Sequence, residues 1–374
     1  MHYKKRGDGC GGLREMFRLE DKKIAERIFE KLREMKLDIT IMHVCGTHQD
    51  TLVKHGLDIM LRNAGIDVRQ GPGCPVCVTT PAEIEEALCL ARHGKTVAVF
   101  GDMARVPSKT GSLMQAKAEG CDVRVVYSVD DALKLAEKGK EVVFIGIGFE
   151  TTAPSTAAAL LNAKTENFSV LSCHRTVPPA LEALIKMGET RLQGLIEPGH
   201  VSTIIGLEPY RKLAREYGIP QVIAGFEPLD LLMGVYMLAQ LIVNGRAEVK
   251  NEYTRVVRPE GNVKAREVME RVFVPVDVKW RGFPVIEKSG LELCRRYEEF
   301  NARKKYEDIL EEVHGEEFEE PPACRCAEVL RGLCSPRDCP LFGTACVPEH
   351  PVGPCMVSFE GGCAIEWNYR GKLR

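Results

Sequence analysis

Short β-branched runs alternate with helical stretches along the chain between residues 38 and 226. Strands that are separated by helices favour parallel α/β sheets with right-handed crossovers. The pattern predicts eight strands, at residues 38–44, 66–70, 96–100, 122–128, 141–148, 168–173, 192–198 and 220–226.

Two of these strands are followed by similar sequences, which predicts two structural units. Residues 142–161 (VVFIGIGFETTAPSTAAALL) and 220–238 (PQVIAGFEPLDLLMGVYML) each contain a buried strand, then Gly-Phe-Glu, then a helix led by a proline. We therefore predict an α/β fold in which two parallel-sheet units, residues 37–164 and 165–248, face a cleft. Ligands of such sheets bind outside the carboxyl ends of the strands, where the loops collect.

The two ends of the chain have different patterns. Residues 1–36 are predicted to form a helical lead-in, because apolar side chains recur at helical spacing among charged residues. Residues 249–374 are predicted to form a helical and Cys-rich iron-sulfur domain. A Lys/Glu-rich helical segment at 289–315 is followed there by an acidic, Pro-containing hinge at 316–323, and the tail beyond it indicates a site rather than a core.

Length and composition exclude several classes of function. The 374 residues suggest two or three domains, and a charged fraction of 28% with a formal net charge of -2 argues against binding to nucleic acid or another polyanion. No apolar segment follows the basic N-terminus as in a secretory signal, and the longest apolar run, residues 231–243, is too short to cross a membrane. We therefore expect a soluble cytoplasmic protein.

The chain contains 15 cysteines. Disulfides are rare in the cytoplasm, so metal or redox chemistry explains these residues better than a structural framework. Soft thiolates suit iron-sulfur clusters, and a [4Fe-4S] cluster needs four of them. A zinc ribbon and a disulfide cluster remain alternatives, and choosing four ligands is harder than predicting the cluster. Seven cysteines lie in the tail: Cys324, Cys326, Cys334, Cys339, Cys346, Cys355 and Cys363.

A second candidate site, MHVCGTHQD, follows the first predicted strand. Cys45 lies at the carboxyl end of that strand, Gly46 allows a tight turn, and Thr47 can cap a helix with Asp50 at its third position. The helix dipole and a nearby histidine lower the pKa of a thiol, which favours the metal-binding thiolate. His48 is then positioned to hydrogen-bond a ligand or to move a proton. The alternative is a buried cysteine beside a surface histidine.

The sequence GPGCPVC, residues 71–77, contains a C-x-x-C pair in a predicted tight loop. Cys77 precedes the predicted helix cap Thr80, so the pair is displaced from the thioredoxin pattern, in which the first cysteine opens the helix. A disulfide between Cys74 and Cys77 and a metal site completed by Cys45 both remain open.

Other predicted strand ends carry polar side chains that would point into the cleft between the two units. Each alone is expected to be structural, and together they indicate a polar cleft. They are Glu150, His174, Arg175, His200 and Glu227. Five further cysteines are interpreted as isolated thiols, with Cys89 on the apolar face of a helix: Cys10, Cys89, Cys121, Cys173 and Cys294.

Taken together, the motifs of residues 37–365 resemble the HypD family of hydrogenase maturation proteins. They are CGTHQ, GPGCPVC, GFETTAP, CHRTVPPA, EPGHVSTIIG, AGFEPLD and CPLFGTACVPEHPVGPCMVSFEGGC. The resemblance implies a cytoplasmic factor that helps to build the Fe(CN)2CO group of [NiFe]-hydrogenases. It also implies a complex with the small chaperone HypC, which shares the iron, and cyanide groups made by HypE from a thiocyanate-like thioester. The hydrogenase large subunit would be an indirect partner.

The resemblance assigns the iron site to the first two motifs. It implies that Cys45 holds the iron together with a cysteine of the partner, that His48 supports it, and that Cys74 and Cys77 form a redox dithiol. Gln49 stands where family members often have Glu, which weakens any charge-dependent role at that position.

The resemblance also implies a ligand set for the cluster. The family spacing C-x12-C-x6-C-x16-C fits Cys326, Cys339, Cys346 and Cys363. The remaining tail cysteines are then nearby thiols, some of which could form a second redox pair as in ferredoxin:thioredoxin reductase.

The implied chemistry needs a thiolate that holds Fe(II), a source of electrons, and a closed pocket. We expect Cys45 to supply the first, the cluster with Cys74 and Cys77 the second, and the polar cleft with Glu150 and His200 the third. The alternative functions are an iron-sulfur-dependent thiol-disulfide reductase and a structural zinc protein. The chain contains neither a Walker A motif nor G-x-G-x-x-G, so nucleotide hydrolysis is not expected.

Overall fold

Two parallel sheets form the centre of the structure, a computed structural model that describes residues 22–371. The strands in this part of the chain are β1 (Ile39–His43), β2 (Ile66–Gln70), β3 (Thr96–Val99), β4 (Val123–Val125), β5 (Val142–Gly148), β6 (Phe168–His174), β7 (Gly194–Pro198), β8 (Gln221–Ala224), β9 (Val249–Asn251), β10 (Phe273–Lys279) and β11 (Val285–Leu293). All eight strands predicted from the sequence are present, and the predicted α/β fold with parallel sheets is confirmed.

The first sheet has the strand order β2-β1-β7-β8-β9, and the second has the order β4-β3-β5-β6. Strand β1 is an interior strand of the first sheet, where Ile41 pairs with Val68 on one side and Gly194 on the other. Every residue of β5 and β6 is buried. Strands that are covered on both faces by helices have this continuous apolar character.

The stretches of chain that form each sheet differ from the two predicted units, residues 37–164 and 165–248. Strands β1 and β2 pair with the late strands β7 to β9, and β6 pairs with β5 along its whole length. The first sheet is therefore assembled from two separate stretches of chain, with the second sheet formed by the residues between them. Local sequence patterns predict strands but not their long-range partners.

The helices surround the sheets and connect the strands. They are α1 (Lys22–Glu34), α2 (Gly46–Lys54), α3 (Leu57–Arg62), α4 (Pro75–Val78), α5 (Pro81–Arg92), α6 (Gly101–Ala104), α7 (Leu113–Ala118), α8 (Val129–Glu137), α9 (Ala153–Asn162), α10 (Val177–Met187), α11 (Gly199–Ile205), α12 (Glu208–Tyr217), α13 (Pro228–Val243), α14 (Val263–Val272), α15 (Ala302–Lys305), α16 (Glu307–Leu310), α17 (Cys326–Leu330), α18 (Pro354–Val357) and α19 (Gly362–Arg370). Short 3-10 helices lie at Arg295–Phe300 and Pro336–Asp338.

The predicted helical lead-in is present as α1, which buries Ile28, Phe29 and Leu32 against the first sheet. The part of this prediction that concerns residues 1–21 lies outside the described residues. Among residues 22–371, no helix combines the length and apolar character required to cross a membrane.

The prediction of a helical segment at 289–315 is wrong for its first residues. Strands β10 and β11 form an antiparallel pair, so residues up to Leu293 are extended. Gly290 makes this pairing tight, because a Cβ atom there would lie 2.6 Å from a methyl carbon of Val278. A 3-10 helix follows at Arg295–Phe300, and α-helix begins only after Asn301, whose side chain accepts hydrogen bonds from the backbone of Arg303 and Lys304. That cap interrupts the helical pattern at the position where the sequence suggested continuity.

One hydrophobic core includes residues of both sheets. Met42 and Leu195 from the first sheet share it with Val97 and Ile145 from the second. A buried ion pair adds a polar link, in which Arg175, after β6, donates to the carboxylate of Glu83 in α5 at 2.6 and 2.8 Å. The two sheets therefore pack into one body, with their strand ends held at fixed positions.

Replacing Arg175 with Met should lower the free energy of unfolding by about 3 kcal/mol, because the substitution leaves Glu83 buried without its main partner. Burial works to raise the pKa of Glu83, but the charges of Arg175 and Arg303 lower it overall. A lowered folded-state pKa gives stability that is present above the ordinary pKa of a glutamate and is lost as the pH falls below it. Urea unfolding between pH 3 and 8 measures both effects.

Arg215→Met is the matched control, because its ion pair with Glu208 is solvent-exposed, with 64% and 65% of the side chains accessible. An exposed pair contributes less than about 1 kcal/mol. Equal losses for the two variants would contradict the role given to the buried pair.

Candidate functional site

Cys45 lies at the carboxyl end of β1, with only 7% of its surface exposed. It has extended backbone angles and is the N-cap of α2, so the helix begins at Gly46 and not after Thr47 as predicted. The loop that contains GPGCPVC packs directly on it, since a Cβ atom at Gly73 would lie 2.3 Å from the Cys45 backbone nitrogen. Only glycine fits at this contact, which brings the two cysteine motifs together.

The sequence predicted a lowered pKa for the Cys45 thiol, and this prediction is wrong. Burial raises the pKa of this thiol to about 11, and the negative charge of Glu360 acts the same way. Hydrogen bonds from the backbone of His48 and Thr47 lower it only in part. The free thiol therefore keeps its proton at neutral pH, and a metal ion that binds there must displace it.

His48 is fully buried and fixed by the end of β8. Its Nε2 donates to the carbonyl oxygens of Gly225 at 2.9 Å and Ala224 at 3.3 Å, which can only accept. Burial lowers the pKa of His48 to about 3, so it does not move protons at neutral pH as the sequence suggested. Its Nδ1 is buried and finds no hydrogen-bond partner among the described residues, which leaves a lone pair available to a ligand.

Cys74 and Cys77 form a disulfide, and both side chains are fully buried. Cys74 is the N-cap of the four-residue helix α4, and its sulfur accepts a hydrogen bond from the Cys77 backbone at 3.1 Å. The first cysteine thus opens a helix, contrary to the prediction that the pair is displaced from the thioredoxin pattern. The sequence analysis missed α4 because it identified only the next helix, which Thr80 caps.

Two buried carboxyl groups lie where the ends of both sheets meet. Burial raises the pKa of Glu150, after β5, to about 7 and that of Glu197, at the end of β7, to about 8. Glu150 accepts one hydrogen bond, from the Val177 backbone at 3.0 Å. Its other oxygen and both oxygens of Glu197 have no partner among the described residues. Glu197 was not among the residues singled out from the sequence, although it lies in the predicted strand 192–198 and begins the motif EPGHVSTIIG.

Tyr210 connects these groups electrostatically to Cys45. Burial, with the negative charges of Glu197, Glu150 and Cys45, holds the pKa of Tyr210 well above its usual range. The phenol is fully buried and lies 3.2 Å from the hydroxyl of Ser202. At physiological pH the predicted polar region between the two sheets therefore contains a neutral phenol, a mostly protonated Glu197 and a Glu150 that titrates close to neutrality.

The other predicted strand-end residues have different environments and roles. His200 is exposed and stacks on Phe226, with ring centroids 3.8 Å apart, beside the buried ring of His48. His174 and Arg175 instead serve packing, since His174 bonds the Thr156 hydroxyl at 3.0 Å and Arg175 pairs within the core. Glu227 caps α13.

Glu360 is a site residue that the sequence analysis missed, although it lies within the motif FEGGC. Its Cβ would be 2.5 Å from a Cβ placed on Gly46, so the tail packs on the start of α2. Burial, with the charge of Asp102, raises the pKa of Glu360 to about 7. Next to it, Phe359 is 70% exposed. The Cys-rich tail thus reaches Cys45 and leaves an aromatic ring on the surface there.

The tail cysteines form a pair and a group around it. The sulfurs of Cys326 and Cys355 lie 2.6 Å apart, and this contact lowers the pKa of Cys326 and raises that of Cys355. Burial and the neighbouring thiols Cys326, Cys339 and Cys363 raise the pKa of Cys324 to about 12. Cys326, assigned from family spacing as a cluster ligand, therefore has its sulfur directed at another cysteine.

The remaining tail thiols are arranged as follows. Cys346 accepts a hydrogen bond from the Val352 backbone at 3.3 Å and has Cys363 and Cys339 as electrostatic neighbours. Cys334 has mainly charged side chains, first of all Arg325 and Glu328, as electrostatic neighbours, with Cys339 as a weaker one. When Cys326 and Cys355 are counted as a pair, four neighbouring thiols remain: Cys324, Cys339, Cys346 and Cys363. Four thiols in a largely buried environment match the donor set of a [4Fe-4S] cluster.

The sequence profile described as HypD: Hydrogenase formation hypA family matches residues 20–370. The chain belongs to the HypD family. It is 47% identical over 366 residues to a hydrogenase expression/formation protein of Methanocaldococcus jannaschii, a match that covers 95% of this chain and 99% of the relative. The hydrogenase maturation factor HypD of Escherichia coli is 44% identical over 339 residues, or 89% of each chain. HypD2 of Bradyrhizobium diazoefficiens is 41% identical over 371 residues, or 95% of this chain and 96% of its own.

Replacing Glu360 with Gln should increase the rate at which Cys45 is alkylated. The Glu360 charge raises the pKa of the thiol, so its removal increases the thiolate fraction at any pH where Glu360 is ionised, which is above about 7. We expect an increase of about twofold to tenfold at pH 8.5, which corresponds to at most one pKa unit. Peptide mass spectrometry after timed iodoacetamide treatment resolves Cys45 from the other cysteines.

Glu349→Gln removes an exposed carboxylate of the same tail and serves as the control. An unchanged or slower rate in Glu360→Gln, with Glu349→Gln equal to wild type, would contradict the electrostatic coupling.

Proposed function

We propose that this chain acts in hydrogenase maturation as the scaffold on which the Fe(CN)2CO group of [NiFe]-hydrogenases is assembled, with iron held at Cys45. Membership of the HypD family supports the maturation role. One observation supports the proposal that Cys45 holds the iron. Cys45 is buried among the Cys74–Cys77 disulfide loop, the Nδ1 of His48, which has no hydrogen-bond partner among the described residues, and the carboxyl of Glu360.

The residues around Cys45 suit the capture of a soft, partly ligated iron ion. Iron is the cargo here, and its binding releases the proton that burial holds on the thiol. His48 offers a fixed neutral lone pair, and burial raises the pKa of Glu150 and Glu197 to about 7 and about 8, which reduces their negative charge at neutral pH. Closed surroundings exclude water, which protects the assembling group from hydrolysis and oxidation.

A partner completes the site in this proposal. Cys45 has a small exposed fraction, and the exposed ring of Phe359 lies on the same tail loop as Glu360. A small chaperone of the HypC type would dock at this surface and contribute a second thiolate. HypE would supply cyanide, and the hydrogenase large subunit would receive the finished group indirectly.

We also propose that Cys324, Cys339, Cys346 and Cys363 hold a [4Fe-4S] cluster. The bound cluster would supply electrons one at a time. Cys326 and Cys355 form a dithiol pair next to these ligands, and Cys74 and Cys77 form a second pair next to Cys45. Reduction of the Cys74–Cys77 disulfide takes up two electrons and two protons and leaves two thiols.

Cys45→Ala should abolish iron binding at the cleft without removing the tail cluster, because the two thiol groups are separate. Anaerobic protein purified with its chaperone should lose the CN and CO stretches in the infrared spectrum and keep its visible cluster absorption. Cys121→Ala, which changes a half-exposed thiol elsewhere, is the control. Loss of both signals together in Cys45→Ala would contradict the two-site proposal.

Serine substitutions distinguish the two ligand sets for the cluster. Cys324→Ser should lose the cluster absorption and most of the cluster iron, whereas Cys326→Ser should keep both, because the Cys326 sulfur is paired with Cys355. Cys334→Ser is the control, since that thiol lies near Arg325 and Glu328. The opposite result, with loss in Cys326→Ser and retention in Cys324→Ser, would contradict this proposal and support the ligand set implied by the family spacing, which includes Cys326.

The alternative, an iron-sulfur-dependent thiol-disulfide reductase, is favoured by the paired thiols Cys326 and Cys355 beside the candidate cluster ligands. A disulfide in another protein must reach an attacking thiol, and Cys74 and Cys77 are fully buried. If this chain catalyses the reduction of disulfides in other proteins while it carries no bound cyanide, that result would favour the reductase over the scaffold.

A further inference from the structure

A cluster of three potential metal ligands combines one buried cysteine with two exposed side chains. Cys89 and His93 are four residues apart at the end of α5, so they occupy the same face of the helix. Glu312 reaches them from the turn that follows α16. The Cys89 sulfur, a ring nitrogen of His93 and a carboxylate oxygen of Glu312 all lie within 4.8 Å of one another.

The ring of His93 is oriented as in many metal sites. Its Nδ1 lies 3.0 Å from the backbone oxygen of Cys89, which can only accept, so Nδ1 carries hydrogen. In the neutral ring, Nε2 is then a bare lone pair, and it faces an oxygen of Glu312 at 3.1 Å. Two acceptors at this distance need a cation between them, either a proton or a metal ion. Metal-binding histidines usually donate their other N–H to a carbonyl in this way.

The thiol of Cys89 is the third donor. Its sulfur lies 4.0 Å from an oxygen of Glu312 and donates to the Ile309 backbone oxygen at 3.4 Å. The ring nitrogen 3.8 Å from the sulfur is Nδ1, which carries hydrogen, so the His93 ring must rotate to bring Nε2 to a shared ion. Zinc bonds of about 2.0 to 2.3 Å in a tetrahedral site place ligand atoms about 3.3 to 3.8 Å apart. Small rotations of the exposed His93 and Glu312 side chains, which are 37% and 60% accessible, would bring the three donors to those distances.

The local charge also favours a cation. His93 is the C-cap of α5, where the helix dipole is negative, and Glu85 and Glu312 both face the Cys89 thiol. The cationic group that also faces this thiol is Arg92, whose guanidinium bonds to Thr110.

We propose that Cys89, His93 and Glu312 bind a divalent transition-metal ion of the zinc class, with solvent in the fourth position. One sulfur, one nitrogen and one oxygen suit borderline ions such as Zn²⁺ better than Mg²⁺ or Ca²⁺. The ion ties α5, which follows the Cys74–Cys77 loop, to the turn that precedes the acidic hinge at 316–323. It thereby restrains the start of the Cys-rich tail. From the sequence alone Cys89 was expected to be an isolated thiol, because Glu312 is remote in sequence.

The test is a Zn²⁺ titration of the full chain, with its cluster in place, against a competing chelator under anaerobic conditions. Wild type should bind one more equivalent than Cys89→Ser. Glu312→Gln should weaken this equivalent at least tenfold, since even indirect supporting groups change metal affinity by 10 to 100-fold. Co²⁺ used as a spectroscopic probe should give a sulfur-to-metal absorption band that Cys89→Ser removes.

Two matched controls should behave like wild type. Cys294→Ser changes another thiol that donates to a backbone carbonyl, and Glu316→Gln changes another exposed carboxylate in the same part of the chain. Should Cys89→Ser prove unstable, Glu312→Gln alone decides, because its side chain is mostly exposed. Equal zinc stoichiometry and affinity in wild type, Cys89→Ser and Glu312→Gln would overturn the proposal and leave a proton shared by His93 and Glu312.

Discussion

The close approach of Gly73 to the backbone of Cys45 is the contact on which the rest of the site depends. It requires that β1 and β2 be neighbours, that both strands end at the same level, and that the loop after β2 turn back over the end of β1. Gly46 makes a similar contact with Glu360. Because Gly73 and Gly46 have no side chains, three segments that are distant in sequence can meet around the Cys45 thiol. These segments are the CGTH motif, the CPVC loop and the FEGGC tail.

Burial then determines the chemistry of that thiol and of its neighbours. Removal from water raises the pKa of Cys45, Glu150 and Glu197 and lowers that of His48, so every one of these groups favours its neutral form. Buried polar atoms without partners cost about 1 to 3 kcal/mol each, so such a cluster is expensive for the fold. That cost is consistent with a site whose polar atoms find partners only when cargo is bound.

Much of the architecture was predictable because it depends on local patterns. All eight predicted strands are present, and the Thr80 cap with Pro81 and Glu83 begins α5 as the capping rules require. The antiparallel pair β10 and β11 was missed although β10, FVPVDVK, has valine at every second position. The end of β11 was interpreted as the start of the Lys/Glu-rich helical segment at 289–315. The missed helix α4 is only four residues long and has no periodicity to detect.

The sequence by itself determined the residue types, the strand and helix pattern, and the motifs that resemble the HypD family, because each of these is encoded within a short stretch of chain. The tertiary structure alone decided which strands share a sheet, that Glu360 lies near Cys45, that Glu197 lies near Tyr210, and that Cys326 pairs with Cys355. It also reversed the expected pKa shift of Cys45. Pairing and burial are properties of segments far apart in sequence, and desolvation at Cys45 outweighs the local effect of the helix dipole.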